Sequence, residues 1–219
     1  MNIFIGKGYL QFTKYLVDYI GALTLLLIFS PICIVAAIAI KLNSDGPIFA
    51  DVPERVGKDG KNFRMYKFRS MIVNAHQMLR EDPRFKELYS QYRKGSYKLK
   101  KDPRITTVGK ILRKHSIDEI PQLINVLRGE MSLVGPRAYY PDELDHQSKQ
   151  YPKTKKLVQR VLSVKPGITG LWQVSGRSEI NFDKRIAIDA TYVDKLSLIK
   201  DIKIIIKTPL VMLSGKGAI

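Results

Sequence analysis

From Tyr19 to Ile40 the chain carries no charged residue, and Ser30-Pro31 falls in the middle of that run. As one straight helix the run would reach about 33 Å, just enough for a hydrocarbon core of about 30 Å. Pro31 lacks an N–H and crowds the turn before it, so a break or sharp kink is expected there. Each arm is then about 18 Å long, too short to span, and a helix-break-helix dipping into one leaflet becomes the rival topology. Lys7 and Lys14 precede the run and a strongly basic chain follows it. A spanning helix would strand those two lysines on the far side; a re-entrant one keeps every cation together, as the positive-inside bias prefers. A cleaved signal peptide is suggested by Ala37-Ile38-Ala39, but the long segment before the run and its own length count against it. A buried core helix is disfavoured because apolar runs of this length are rare outside membranes.

The 219 residues suit one domain of ordinary size plus this appendage, which divides the chain into 1–44 and 45–219. A net charge of +17 asks for an anionic partner: nucleic acid, membrane surface or phosphorylated substrate. One cysteine, Cys33, excludes an internal disulfide and fits a reducing compartment. The three histidines, His76, His115 and His146, lie far apart, with no zinc-like spacing.

Asp59-Gly60 between two strand-like runs predicts a β-hairpin. The second run ends in Lys67-Phe68-Arg69-Ser70-Met71, cations alternating with other residues, which composition alone reads as a strand with one wet face. Residues 72–101 predict a charged helix, a Gly95-Ser96 break and a basic run. Tyr89, Tyr92 and Tyr97 stand among those cations, a pattern able to touch RNA or lipid headgroups and as often a solvated surface. Asp82-Pro83-Arg84 echoes Asp102-Pro103-Arg104 without forming a repeat. Pro141, Asp142, Glu143 and Asp145 read as a linker-like acidic stretch. Helices are expected at Lys153–Val164 and Asp183–Lys195, with tight loops rather than regular elements over 162–177. No P-loop or G-x-G-x-x-G is present. After Ser197, Leu198, Ile202, Ile205 and Ile206 oppose Lys200, Lys203 and Lys207; this basic amphipathic helix suits either the bilayer interface or the edge of a soluble core. The fold class is therefore α+β and α-rich: a small domain with a β-hairpin and several helices, an N-terminal membrane helix-break-helix and interfacial amphipathic helices.

The chemistry-bearing stretch runs from Asp102 to Arg137. Asp118 and Glu119 stand where a helix should begin, with Pro121 in its first turn. Ser116 and Glu119 have capping-box spacing, Asp118 being the alternative cap. Ile120, Leu123, Ile124 and Leu127 then form one apolar face, and Gly129 is a C′ stop. Arg104, Lys110, Arg113, Lys114, Arg128 and Arg137 surround the pair. Two acids among many cations suit phosphoryl transfer, with Mg²⁺ and arginines holding phosphates while a carboxylate attacks. The bland reading is a helix cap beside a solvated basic face.

Taken together, the apolar run with Ser30-Pro31, Asp45-Gly46-Pro47, Lys67–Met71, Asp102–Arg137, Lys165–Arg177 and the ending SGKGA resemble the bacterial sugar transferases, monotopic phosphoglycosyl transferases that prime glycan assembly. The resemblance implies a re-entrant membrane helix, a cytoplasmic catalytic domain at the bacterial inner membrane, and interfacial helices setting the site at headgroup level. It implies transfer of a sugar-1-phosphate from a UDP-sugar to polyprenyl (undecaprenyl) phosphate, with Mg²⁺ and release of UMP, as in exopolysaccharide or O-antigen synthesis. Asp118 would be the nucleophile and form a covalent aspartyl-phosphosugar; Glu119 would be its metal or proton partner. Arg113, Arg137 and Arg177 are the implied phosphate-binding residues, with Lys67 and Arg69 weaker candidates and Asp189 and Arg104 in a second tier. Membrane lipids are further partners, a homodimer is compatible, and nucleic acid is not expected. Two departures stand out. Gly-Pro-Arg-Ala at 135–138 replaces the usual Gly-Pro-Arg-Pro, and the sequence lacks the multi-helix N-terminal membrane domain frequent among the hexose-1-phosphate members that it most resembles. Glucose or galactose is the first expectation for the sugar, an N-acetylated sugar the second. The rival reading from another class is a membrane-tethered nucleic-acid-binding module, and a third is a structural membrane anchor.

Overall fold

In a computed structural model of the protein, residues 4–94, 97, 99, 101–175 and 181–213 are described. Arg177, the Gly95-Ser96 break and the SGKGA ending lie outside them. The uncharged run is carried by a single 30-residue helix, α1 (Lys14–Asn43), with Pro31 inside it. Of the break or sharp kink expected at Ser30-Pro31, the break is absent: helical backbone continues through the proline. The physical reason is local. The missing N–H of Pro31 leaves the Leu27 carbonyl without its partner, and Ser30 Oγ donates to that carbonyl at 2.8 Å.

One stripe of α1 meets the rest of the chain along its whole length. Asp18, Ala22, Ala36 and Ile40 are buried, and Leu25 and Leu26 pack on the central core between them. The opposite face bears Leu27, Ile28, Ile34, Val35, Ile38 and Leu42, each more than half exposed. The most apolar window of α1 has a mean hydropathy of 2.8, and only 11% of it is buried. A core helix of a soluble protein would be mostly buried, so α1 is long, apolar and open enough to insert in a membrane. Both of its ends contact the same body. Near the start, Asp18 accepts from Ser132 Oγ and the Leu133 N–H; near the end, Ala36 and Ile40 pack with Phe68 and Leu112.

The hairpin forms as expected, from β1 (Arg55–Val56) and β2 (Asn62–Phe63), antiparallel with Arg55 opposite Phe63. Helices α2 (Ala75–Glu81) and α3 (Lys86–Lys94) follow, then α4 (Thr107–Lys114), N-capped by Thr106 Oγ1, which accepts from the Gly109 N–H at 3.0 Å. The two Asp-Pro-Arg turns repeat one local geometry, an aspartate accepting both the backbone N–H and the guanidinium of the arginine two residues on. Tyr92 and Tyr97 are buried in a cluster with Leu79 and Tyr140, which corrects their reading as surface groups for RNA or lipid.

Helix α5 (Gln122–Leu127) stops as its sequence predicts. Gly129 has φ of 75°, its N–H bonds the Val126 carbonyl, and the Glu130 N–H bonds the Asn125 carbonyl, a Schellman ending. Strand β3 (Ser132–Val134) then pairs in parallel with β4 (Gly167–Thr169). This sheet, and helix α8 (Leu171–Ser175) after it, overturn the expectation that 162–177 is all loop. The glycines there signal close approach of two chains rather than turns: a Cβ on Gly135 would come within 2.6 Å of the Lys165 carbonyl oxygen and 2.7 Å of the Gly167 nitrogen.

Between the two strands lie α6 (Pro141–Gln150) and α7 (Lys155–Leu162). The acidic stretch taken as a linker is thus the first turn of α6, with Pro141 at N1 and Asp142 and Glu143 near the positive helix end. Glu143 is wholly buried and pairs with Arg185 at 2.9 Å. Helices α9 (Phe182–Asp194) and α10 (Leu198–Leu213) complete the described chain. α10 buries Asp201 and Ile204 while leaving Ile199, Ile202, Ile206 and Leu210 exposed, a second apolar stripe open to the outside. Among the described residues the architecture is mostly helical, with two small two-stranded sheets and one long apolar helix.

Candidate functional site

Asp118 and Glu119 sit on a 3₁₀ turn, Ile117–Glu119, between α4 and α5. The expected capping box does not form. Ser116 is left-handed at φ 53° and caps nothing with its side chain, nor does Asp118 cap α5. What holds the turn instead is the segment 67–69. The Phe68 N–H donates to the Asp118 carbonyl at 2.9 Å, and Lys67 Nζ meets Glu119 Oε1 at 2.6 Å. Glu119 is thereby turned away from the helix end towards a lysine fifty-two positions earlier in the chain.

Asp118 is buried, and the loss of water pushes its carboxyl up to about 6. The Lys67 ammonium opposes that rise, the neighbouring Glu119 carboxylate adds to it, and Arg113 opposes it again. The result is a carboxylate that is still mostly ionised near neutrality and poorly solvated, two properties a nucleophile needs.

The dyad opens into a cavity of about 800 Å³. Lys67, Arg113 and Arg137 line it beside Asp118 and Glu119. A different wall is apolar: Leu25, Phe29 and Ile32 come from α1, and Ile205 and Pro209 from α10. One cavity thus joins fixed cations and paired acids to the two helices with exposed apolar faces.

The remaining predicted site residues separate by what they touch. Arg137 lines the cavity, with its guanidinium 5.3 Å from the centre of the Trp172 ring. Its backbone N–H is held by Asp189 Oδ2 at 3.1 Å, and Tyr139 OH donates to the same oxygen at 3.3 Å. Asp189 itself lies behind the wall, fully buried, where loss of water raises its carboxyl to about 7. It supports the Gly-Pro-Arg turn and does not line the cavity. Arg69 also lines the cavity, and its guanidinium donates to the Asp45 carbonyl and to Ser44 at the end of α1. Arg104 is likewise committed, to Asp102 at 2.6 Å and the Ala75 carbonyl at 2.7 Å. Arg177 falls outside the described residues. Ser30 and Pro31 lie in the middle of the long apolar helix α1.

Residues with no sequence signal also face the cavity: Arg55, His76, Tyr140, Trp172 and Gln173. They are single residues on elements that only the fold brings together. Among the described residues no cluster of three or more His, Cys, Asp or Glu side chains is placed to hold a metal. The acid pair alone fits Mg²⁺, which commonly takes one or two protein carboxylates and completes its shell with phosphate oxygens and water.

The sequence is similar to known proteins over most of its length. The family model described as "Bacterial sugar transferase" matches residues 9–215. An undecaprenyl-phosphate galactose phosphotransferase of Salmonella typhimurium is 42% identical over 98% of this chain and 43% of its own length. The exopolysaccharide production protein ExoY of Rhizobium meliloti is 40% identical over 90% of this chain and 84% of its own length. A UDP-glucose:undecaprenyl-phosphate glucose-1-phosphate transferase of Klebsiella pneumoniae is 42% identical over 89% of this chain and 39% of its own length. The chain therefore spans less than half the length of several relatives and most of the length of ExoY. The match takes in the apolar helix, the acid pair and the β3–β4 sheet that backs it, and on that ground the chain belongs to the bacterial sugar transferase family.

Proposed function

We propose that this protein is a membrane-bound phosphoglycosyl transferase, moving a sugar-1-phosphate from a UDP-sugar to a polyprenyl phosphate and releasing UMP. The observation that carries the reading is the single cavity in which Asp118, Glu119, Lys67, Arg113 and Arg137 share walls with Leu25, Phe29, Ile205 and Pro209. Charged walls suit a nucleoside diphosphate, apolar helices suit a prenyl chain, and the acid pair lies where both would place a phosphorus atom. The Salmonella and Klebsiella relatives are named for activities of this kind. They favour galactose or glucose as the sugar, with N-acetylated sugars second.

In the proposed reaction an Asp118 oxygen attacks the sugar-bearing phosphorus. A bond from that oxygen to phosphorus forms, the phosphorus–oxygen bond to the other phosphate breaks, and the electron pair leaves on UMP. A phosphate oxygen of the polyprenyl phosphate then attacks the same phosphorus and releases the Asp118 carboxylate, so one pocket serves a soluble and a lipid substrate in turn. Lys67 holds Glu119 beside the nucleophile, and Arg113 and Arg137 bind phosphate oxygens. Asp118 and Glu119 would hold Mg²⁺ together with the diphosphate, where it would neutralise charge on the leaving phosphate.

The same reading places α1 as a re-entrant element, residues 1–44 forming the membrane segment and 45–219 a catalytic domain on the cytoplasmic face of the inner membrane. The contacts at both ends of α1 with one body support it, because a spanning helix separates its ends by the bilayer. The exposed stripe of α10 would lie in the same interface. Burial of Tyr92 and Tyr97 removes the aromatic surface on which a nucleic-acid reading relied.

The test is UMP release by the purified full chain across a panel of UDP-sugars with Mg²⁺. Without lipid acceptor, release is expected to stop at about one UMP per enzyme, and Asp118→Asn to release none. Continuous turnover without acceptor, or full activity in Asp118→Asn, would defeat the covalent route. Topology is checked by labelling single cysteines introduced near residue 7 in a Cys33→Ser background; labelling only from the periplasm refutes the re-entrant placement.

A further inference from the structure

Arg55 opens β1 and is 6% exposed, yet among the described residues no carboxylate lies within ion-pair distance of it. Arg104 and Arg185, buried as deeply, each hold one: Asp102 at 2.6 Å and Glu143 at 2.9 Å. The Arg55 guanidinium instead lies 3.3 Å from the centre of the Tyr140 ring and donates one Nη1 bond to the Ala138 carbonyl at 3.0 Å. Its Nε has no hydrogen-bond partner. A guanidinium keeps its charge at any physiological pH, so burying one without a counter-charge is costly until an anion supplies it.

Arg55 lines the same cavity as the dyad, in a part walled by His76, Tyr92, Tyr97 and Tyr140. Tyr92 and Tyr97 meet edge to face at 5.1 Å, and Tyr97 lies 6.1 Å from Tyr140, so these rings form a preset aromatic wall. Burial, then the charges of Arg104, Arg55, Arg80 and Lys67, push His76 down to about 4, leaving it a neutral imidazole near neutrality. Arg55, His76 and Lys67, the lysine that grips Glu119, all line this one cavity. The wall formed by α1 and α10 is apolar and suits a prenyl chain, so the polar, ring-bearing half of the donor is left with the tyrosine side.

We infer that Arg55 binds the phosphate that stays with the nucleoside, with the tyrosine wall taking the base and ribose. The inference rests on the transferase reading for the identity of the donor. When the bond between the two phosphates breaks, its electron pair stays on the departing UMP and adds a negative charge there. A fixed guanidinium at that phosphate offsets the new charge without moving. Arg55 would thus serve both donor binding and departure of the product.

The experiment is titration of the full-length purified protein with UMP and, separately, with uridine, for wild type, Arg55→Gln and Arg55→Lys. Arg55→Gln can still donate to the Ala138 carbonyl. It is expected to weaken UMP binding about tenfold or more and uridine binding less than about twofold. Its melting temperature is expected to be unchanged or higher, because an uncompensated buried charge is removed. Arg55→Lys, which keeps the charge without the planar fork, is expected to fall between the two and serves if the glutamine variant does not fold. Wild-type UMP affinity in both variants overturns the inference, as does an equal loss for UMP and uridine. Wild-type protein that binds no UMP at about 10 mM overturns it as well. UMP binding that depends on Arg55, in a protein that releases no UMP from any UDP-sugar, supports the inference and defeats the transferase reading. Normal UMP release with Arg55-independent UMP binding does the reverse.

Discussion

Two clusters in this molecule combine one lysine with two carboxylates, and they do opposite things with them. In the first, Lys14 Nζ meets Asp201 at 2.6 Å and Asp18 at 3.4 Å. Tyr9 and Tyr192 each donate to Asp201 at 2.8 Å, while Ser132 Oγ and the Leu133 N–H serve Asp18. All three charged groups are buried and every carboxylate oxygen has a donor. In the second, Lys67 holds Glu119, and the neighbouring Asp118 is buried at the wall of a cavity. A satisfied network is a joint: it ties the start of α1 to β3 and α10. A network left with a poorly solvated carboxylate at a cavity wall is a place for chemistry.

That contrast can be broken in graded ways. The largest effect is expected from Asp118→Asn, a loss of at least about a thousandfold in UMP release. Its melting temperature should stay within a few degrees, as a thermal melt will show; equal losses of fold and activity would put Asp118 among the joints. Glu119→Gln should cost about ten- to a hundredfold in activity, measured in the same assay, since Lys67 and Arg113 remain to hold phosphate.

Asp201→Asn attacks the joint instead. Removing this carboxylate leaves the buried Lys14 ammonium only the more distant Asp18, which is expected to cost about 3 kcal/mol and lower the melting temperature by about ten degrees. Activity per folded molecule at low temperature should hold within about twofold. A selective loss of activity at unchanged stability would show that the joint takes part in the reaction.

The smallest effect concerns Asp189. Its carboxyl is held protonated up to about pH 7, whereas in the unfolded chain it ionises near 3.8. Between those values the folded state holds a proton that the unfolded state has lost, so stability falls as pH rises through that window. Asp189→Asn keeps an acceptor for the Arg137 N–H and Tyr139 OH and removes the titration. Melting curves at pH 5 and pH 7.5 should show a flatter pH dependence in the variant, by a few degrees at most. An identical slope would assign the proton elsewhere.

Much of the site was legible because its chemistry is local. Asp118 and Glu119 are adjacent, Arg113 is one turn of chain away, and Lys67 and Arg137 fall in short motifs; the cavity gathers all five. Gly129 announced the end of α5 for a reason internal to six residues. Where expectation failed, a distant partner had decided. Ser116 and Glu119 had capping-box spacing, but Lys67 offered Glu119 a charged partner that the α5 terminus could not match. The glycines of 162–177 looked like turns because the chain that needs them, at Gly135, is far away in sequence. Arg69 and Arg104 carry the same charge as Arg137 and line the same cavity, and only the fold shows the backbone carbonyls and the carboxylate that hold their guanidinium groups.

The sequence alone therefore determined the apolar character of α1, the hairpin, the position of the acid pair and the family. Each of these follows from residue type and short-range spacing, which a linear chain displays directly. Tertiary structure decided that α1 runs unbroken through Pro31, that Lys14, Asp18 and Asp201 form a joint, and that Arg55 stands buried without a carboxylate in the cavity of the dyad. Those are matters of which distant groups meet and which are left unpaired, and the free energy that settles them, desolvation set against new partners, exists only once the chain has folded.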